Sequence, residues 1–221
     1  MTEQFTADNV IIPPAEVLRC LGYGRSRPDA GVSGMLISCI EEFQSIASYR
    51  ACRLLAYVAL EDGAVEIAGL RVESRNLRRG LDGCEKAIIF AATAGVQPDR
   101  MVERYRLLSP ARAAVLDAVG SAAVEAWCNQ LCEQWRAEFF EAGLQLRPRF
   151  SPGYGDFPIG AQSGLLSLLD ASRRAGISLT DAGMMLPSKS VSAVVGLGAQ
   201  GCTSQEQNCE RCGMKNCAFR R

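Results

Sequence analysis

The chain contains no histidine at any of its 221 positions. The commonest general base and metal ligand is therefore missing, so Ser-His, Cys-His and His-zinc chemistry are excluded. Net charge is missing too, because 24 basic and 24 acidic residues cancel. A neutral chain carries no electrostatic footprint for nucleic acid or an anionic membrane surface, and neither is expected as a partner. No uncharged apolar run approaches the roughly 20 residues that span a bilayer. The N-terminus, MTEQFTADNV, has no basic stretch followed by an apolar one. A signal peptide is not expected, and a cytoplasmic location is. There is no internal repeat and no low-complexity segment.

Apolar residues make up 48% of the chain and charged residues 22%, enough for a core of ordinary size. Ten cysteines are unusual. Without an export signal they read as reduced thiols or ligands rather than disulfides.

Residues 1–12 read as a loose or edge-pairing lead-in. Pro13-Pro14 start a short helix over Ala15 to Leu21. Gly22-Tyr23-Gly24 is a loop; without a preceding strand its glycines are a weak sign of a phosphate cradle. Apolar spacing predicts a helix from Met35 to Arg50. It carries Glu41-Glu42, adjacent carboxylates that do not share a face. Leu54 to Leu60 and Ala64 to Leu70 form a hairpin around Asp62-Gly63. Ser74 caps a helix that ends near Gly80. The run Ala87 to Gly95 is apolar on both faces and reads as a central buried strand. Pro98 to Leu107 is a helix with a charged face.

Ser109-Pro110 opens the longest helical pattern, which runs to Gly143. Leu116, Val119, Ala123, Trp127, Leu131, Trp135 and Phe139 form its core stripe, with Cys128 and Cys132 read as buried. Leu144 to Phe150 is a strand, Ser163 to Arg174 a helix stopped by Gly176, and Asp181 to Leu186 irregular. Val191 to Val195 is a strand, with a break and boundary near Gly196.

Two stretches carry chemistry. Arg149-Phe150-Ser151-Pro152-Gly153-Tyr154 combines a guanidinium fork, a rigid turn, a glycine that lets main chain approach a ligand, and a phenol. It suits a small anion or zwitterion; the plainer alternative is a surface turn. The second is Cys202-x6-Cys209-x2-Cys212-x4-Cys217. A segment so poor in apolar residues cannot bury a core, and bound metal is the usual remedy. The single Cys-x2-Cys and irregular spacing favour an iron–sulfur cluster over zinc.

In order along the chain, Phe90-Ala-Ala-Thr-Ala-Gly95, Leu116-Asp-Ala-Val-Gly-Ser121, Arg149-Phe-Ser-Pro-Gly153-Tyr154 and Leu186-Pro-Ser-Lys-Ser-Val-Ser192 resemble the activation domain of cobalamin-dependent methionine synthase. The resemblance spans about residues 70 to 197 and is closest to the short stand-alone relatives with a cysteine-rich end. Ala193 stands where that family usually has Gly, and Val194 and Val195 stand where it has tyrosines.

The resemblance implies an α+β fold, a twisted and mainly antiparallel sheet surrounded by helices. It implies a helical N-terminal part with a hairpin over 1–70, an activation-like core over 71–197 and a cysteine tail over 198–221. It implies S-adenosylmethionine (AdoMet) as ligand: Arg149 on its carboxylate, Pro152 and Gly153 offering main chain, Tyr154 packing on it, and Ser192 in an adjoining wall. The family's acidic contact has no aligned match, and Glu41, Glu42 and Asp156 are candidates. The implied role is reductive remethylation of a corrinoid, which makes the chain a methyltransferase component. Cobalamin would arrive on a corrinoid-binding methyltransferase partner, with a one-electron reductant. Two alternatives stand beside this reading: an iron–sulfur electron-transfer partner of such a methyltransferase, and a non-catalytic module that binds a corrinoid protein.

Overall fold

The computed structural model describes residues 2–23 and 26–199. Strand β1 (Thr2–Ala7) is followed by a short helix, α1 (Pro14–Cys20), which starts at a proline whose missing N–H costs nothing there. Helix α2 (Ala30–Ile46) begins before Met35 because Asp29 caps it, its side chain accepting from the Val32 N–H at 2.8 Å. It stops short of Arg50, since Tyr49 already opens the 13-residue strand β2 (Tyr49–Glu61). The hairpin at Asp62-Gly63 is present, with Gly63 at φ +74°. Its second strand is shorter than expected. β3 (Ala64–Ile67) turns at Ala68-Gly69, both at positive φ, and β4 (Leu70–Glu73) pairs back on it. Alanine is a poor advertisement for a left-handed turn position, which hides this second hairpin in the sequence.

Helix α3 (Arg75–Gly80) is capped by Ser74, whose Oγ accepts from the Leu77 N–H at 3.0 Å. Then come β5 (Cys84–Thr93), α4 (Val96–Leu108) and the 31-residue α5 (Pro110–Phe140). Ser109 occupies the N-cap of α5, but its side chain makes no capping bond; its N–H instead closes α4 on the Tyr105 carbonyl at 2.8 Å. β6 (Leu144–Leu146) is only three residues long. The expected helix over 163–174 is two helices, α6 (Ala161–Leu169) and α7 (Ala171–Ala175), broken by Asp170 at φ +50°. The stretch read as irregular contains a small ribbon, β7 (Ser178–Leu179) with β8 (Met185–Leu186). β9 (Ser190–Ala199) runs straight through Gly196 and Gly198, where a break was expected.

The seven-stranded sheet has the order β4-β3-β2-β5-β9-β6, with β1 also on β2. Every pairing among the described strands is antiparallel. The long β2 takes β1 and then β3 along one side and β5 along the other, so the strands β1 to β4 share one sheet with β5, β9 and β6. β5 sits in the middle and alternates between two cores. Ile88, Phe90 and Ala92 face the helices α1, α2, α4 and α5, while Ala87, Ile89 and Ala91 face α3, α6 and α7. The α5 stripe is buried as its spacing predicts: Leu116, Val119, Ala123, Trp127, Leu131 and Trp135 are all in the first core, with Phe139 half-buried against it. Each such large side chain contributes about 1.5–3 kcal/mol. No helix among the described residues is long and apolar enough to cross a membrane.

Candidate functional site

The small residues at the end of β5 meet the strand β9 and the helix α5 in a polar clasp. Gly95, at φ +90°, packs so tightly on Ser48 that a Cβ would lie 3.1 Å from its carbonyl oxygen. The Ala94 N–H donates to the Lys189 carbonyl at 3.0 Å, and the Ser190 hydroxyl donates to Thr93 Oγ1 at 2.9 Å. The Lys189 stem crosses Gly120 of α5, where a Cβ would sit 3.0 Å from it; its Nζ reaches Asp117 at 2.8 Å and Ser121 at 3.3 Å. Asp99, in the first turn of α4, accepts from the N–H and hydroxyl of Ser188. Three of the four motif segments thus serve each other. Their shared task is to fix β9 against α5.

The fourth segment sits on the outer edge of β9. The Arg147 N–H donates to the Gly196 carbonyl, and Phe150 exchanges both backbone bonds with Val194 at 2.9 Å. Three steps along one chain face two along the other, which is a β-bulge. The extra residue turns Arg149 toward α5 while Phe150 stays against the opposite core. There Arg149 Nη2 donates to Glu125 at 3.0 Å and to Asn129 at 2.8 Å. Its Nη1 is buried with no partner among the described residues. Burial works against the Arg149 charge, but its neighbours outweigh it, the Glu125 carboxylate it bonds among them, and its pKa stays above the ordinary value. Burial also pushes the Cys128 thiol up to about 12. Cys128 and Cys132 are therefore neutral thiols of the core, since metals and electrophiles need the thiolate.

Past the bulge, Pro152 is buried, while Gly153 (φ +90°) and Tyr154 are exposed. The chain rounds the sheet edge here, because Phe157 is buried in the second core. Ser192 lies opposite Ala91 in the β5–β9 ladder and so shares its face, away from the Arg149 side chain. Its hydroxyl is buried and unpartnered among the described residues. What Ser192 can present beside Pro152 is main chain, since alternation turns its N–H and C=O to the same outer edge as those of Val194.

The acidic candidates stand elsewhere. Glu42 is held by Arg112 at 2.5 Å and by the Tyr105 hydroxyl at 2.9 Å, and Asp156 is bound to the start of α3. Glu41 is exposed on α2. The carboxylate beside Arg149 is Glu125, which sequence reasoning missed. One signal existed for it: Asp117, Ser121, Glu125 and Asn129 recur every fourth residue as a polar row on an otherwise apolar helix.

Two hollows flank this region. One, of about 490 Å³, lies between α1, α4 and α5 and is lined by Cys20, Val102, Arg106, Asp117 and Ser121. The other, about 480 Å³ and polar, is lined by Asp62, Arg71, Glu73, Ser74, Arg75 and Asp156. Among the described residues no three His, Cys, Asp or Glu side chains converge on a metal position. Cys202, Cys209, Cys212 and Cys217, the expected ligands of a cluster or zinc, lie outside the described residues, as do Gly24 and Arg25 of the first glycine loop.

Residues 82–211 match the family model described as vitamin B12 dependent methionine synthase, activation domain. The matched span holds the four motif segments and more than half of the chain. The structure is similar to one described as the crystal structure of the MetH reactivation domain bound to AdoHcy. The TM-score is 0.64 at 14% sequence identity, over 92% of this chain and 80% of that one. No protein of curated function matches the sequence.

Proposed function

The chain belongs to the family of the vitamin B12 dependent methionine synthase activation domain, and from that premise we propose that it binds AdoMet for the reductive remethylation of a corrinoid on a partner protein. The observation that carries this reading is the divided guanidinium of Arg149. Nη2 is fixed by Glu125 and Asn129, while Nη1 is buried beside the Cys128 thiol with no hydrogen-bond partner of its own among the described residues. Leaving such a donor unsatisfied costs roughly 1–3 kcal/mol, and a ligand carboxylate removes that cost. The amino-acid end of AdoMet supplies the carboxylate, and Glu125 supplies a counter-charge for its ammonium. Gly153 and Ser192 offer main chain along the edge, and Tyr154 offers a ring. A relative with the same fold holds AdoHcy, which is AdoMet without its methyl group.

The chemistry asks little acid or base of the protein, which suits a chain without histidine. The corrinoid, carried by the partner, is the substrate that accepts the methyl group. One electron from a reductant takes its cobalt from Co(II) to Co(I), whose electron pair then takes the methyl group. The S–CH3 bond breaks with its pair on sulfur, and S-adenosylhomocysteine leaves. The protein's part is to place the sulfonium and exclude water around it.

Titration calorimetry tests the site. The wild type is expected to bind AdoMet, and Arg149→Ala to bind at least about tenfold more weakly, the effect of losing one charge-assisted contact. No binding by the wild type, or equal binding by the variant, sinks the assignment.

A further inference from the structure

The turn that carries Tyr154 is braced from two sides. Internally, the Gly153 N–H donates to the Phe157 carbonyl at 2.8 Å, the Phe157 N–H to the Tyr154 carbonyl at 3.0 Å, and the Tyr154 N–H to the Ser151 carbonyl at 3.2 Å. Phe157 stacks on Phe150 at 5.8 Å, which seats the far end. Yet the stretch between holds two glycines at positive φ, Gly153 and Gly155, and an exposed ring. Glycines leave a turn with the most backbone freedom to lose.

The external brace is Asp156. Its Oδ1 accepts from the Ser74 hydroxyl at 2.5 Å and from the Asn76 N–H at 3.1 Å, and its Oδ2 accepts from the Arg75 N–H at 2.9 Å. All three donors belong to the first turn of α3 or its cap, and α3 is seated in the second core by Leu77. Gly155 lies so close that a Cβ would meet the Asn76 side-chain amide at 2.5 Å. Asp156 itself is exposed and adds nothing to the core, and α3 already has its own cap in Ser74. The three bonds tie the turn to α3 and at the same time satisfy the first two N–H groups of that helix, which Ser74 leaves free.

We infer that Asp156 is a positioning residue of the AdoMet site, clamping the turn over Pro152 to Gly155 onto α3 so that Gly153 and Tyr154 are held ready for the ligand. This rests on the AdoMet reading above. Asp156→Asn keeps the size of the side chain but removes its charge and turns one of its two acceptor oxygens into an NH2 that cannot accept from these donors. If the turn then holds its binding geometry about a tenth of the time, AdoMet affinity falls about tenfold. The melting temperature should stay within about 3 °C, since no core contact is lost. Hydrogen exchange at the Gly153 and Phe157 amides should speed up about tenfold, with β5 amides unchanged. Should the variant fail to fold, Ser74→Ala removes one partner of the same clamp, with about threefold weaker binding expected. Equal affinity in variant and wild type overturns the inference, as does a lower melting temperature with affinity and turn exchange unchanged. Absence of AdoMet binding by the wild type overturns the ligand assignment instead, and exchange at the two amides still decides whether Asp156 clamps the turn.

Discussion

Two arginines, Arg53 buried and Arg149 half-buried, reach α5 and end differently. Arg53 uses both Nη atoms on Glu138 and one also on Glu3, and its planar face lies within 5.1–5.6 Å of the Phe5, Trp135 and Phe139 rings. It ties β1, β2 and α5 together. Arg53 lacks a partner among the described residues only at Nε, whereas Arg149 lacks one at Nη1, on the end of the fork that a carboxylate would meet, and that marks Arg149 as the candidate ligand grip. Arg53→Ala should therefore destabilise the fold by about 2–4 kcal/mol through lost packing and charged hydrogen bonds. Arg53→Lys should recover little, because an ammonium cannot stack or fork. Urea unfolding measures both, and a cost under about 0.5 kcal/mol for the alanine variant would show the tie to be idle. Arg149 was legible in the sequence because its partners in the motif are four and five residues away. Arg53 was not, because its partners come from residues 3–5 and 135–139, and Glu125 hid among the alanines of a helix read for its apolar stripe.

At the scale of elements, periodicity made β5 and α5 plain, and single unusual residues hid the rest. Asp170 and Ala68 enter the left-handed region without being glycine, so the break between α6 and α7 and the turn between β3 and β4 left no mark. Gly196 misled in the other direction. It reads as a breaker, yet it lies inside β9 because there is no room for a side chain. A Cβ there would meet Cys84 Sγ and Leu81 at 2.8 Å and Arg147 at 3.0 Å. By strand propensity alone, Gly196→Ala should stabilise. Overpacking reverses the sign, and a loss of about 1–3 kcal/mol is expected. Gly34 in α2 is the control, since nothing lies within 4 Å of its Cβ position. Gly34→Ala should gain about 0.5–1 kcal/mol. If both variants move stability the same way in urea titrations, the close approach at Gly196 is not what keeps it glycine.

For the whole molecule, the resemblance of four motifs led to the fold class, whereas periodicity alone did not. The sheet is closed by β5 pairing with β9, about a hundred residues on, and no local pattern announces that contact. The lack of histidine, by contrast, was visible at once, and it shapes the pH response of the entire fold. Glu42 and Asp156 titrate below their ordinary values of 4.5 and 3.8. For Glu42, burial opposes its charge and the Arg112 and Tyr105 bonds outweigh it; for Asp156, the Ser74 bond dominates. Stability from lowered carboxylates is complete above the unfolded pKa and is lost as pH falls through the folded one. On the alkaline side, burial pushes Cys52 up to about 11 and Cys128 and Tyr49 up to about 12. The unfolded chain releases those protons first, beginning near the ordinary thiol value of 9.0. The native state then binds more protons than the unfolded one, so stability falls as pH rises, by about 1.4 kcal/mol per pH unit for each group so withheld. Between about pH 5.5 and 8 no side chain with an ordinary pKa is present to titrate. Urea unfolding under reducing conditions should accordingly show a flat plateau across that window, an acid limb below about pH 4.5 and an alkaline limb above about pH 9. A change of more than about 1 kcal/mol between pH 6 and 8 would mean that a buried carboxylate or thiol titrates there, and the assignment of charged Glu42 and neutral Cys128 would have to be abandoned.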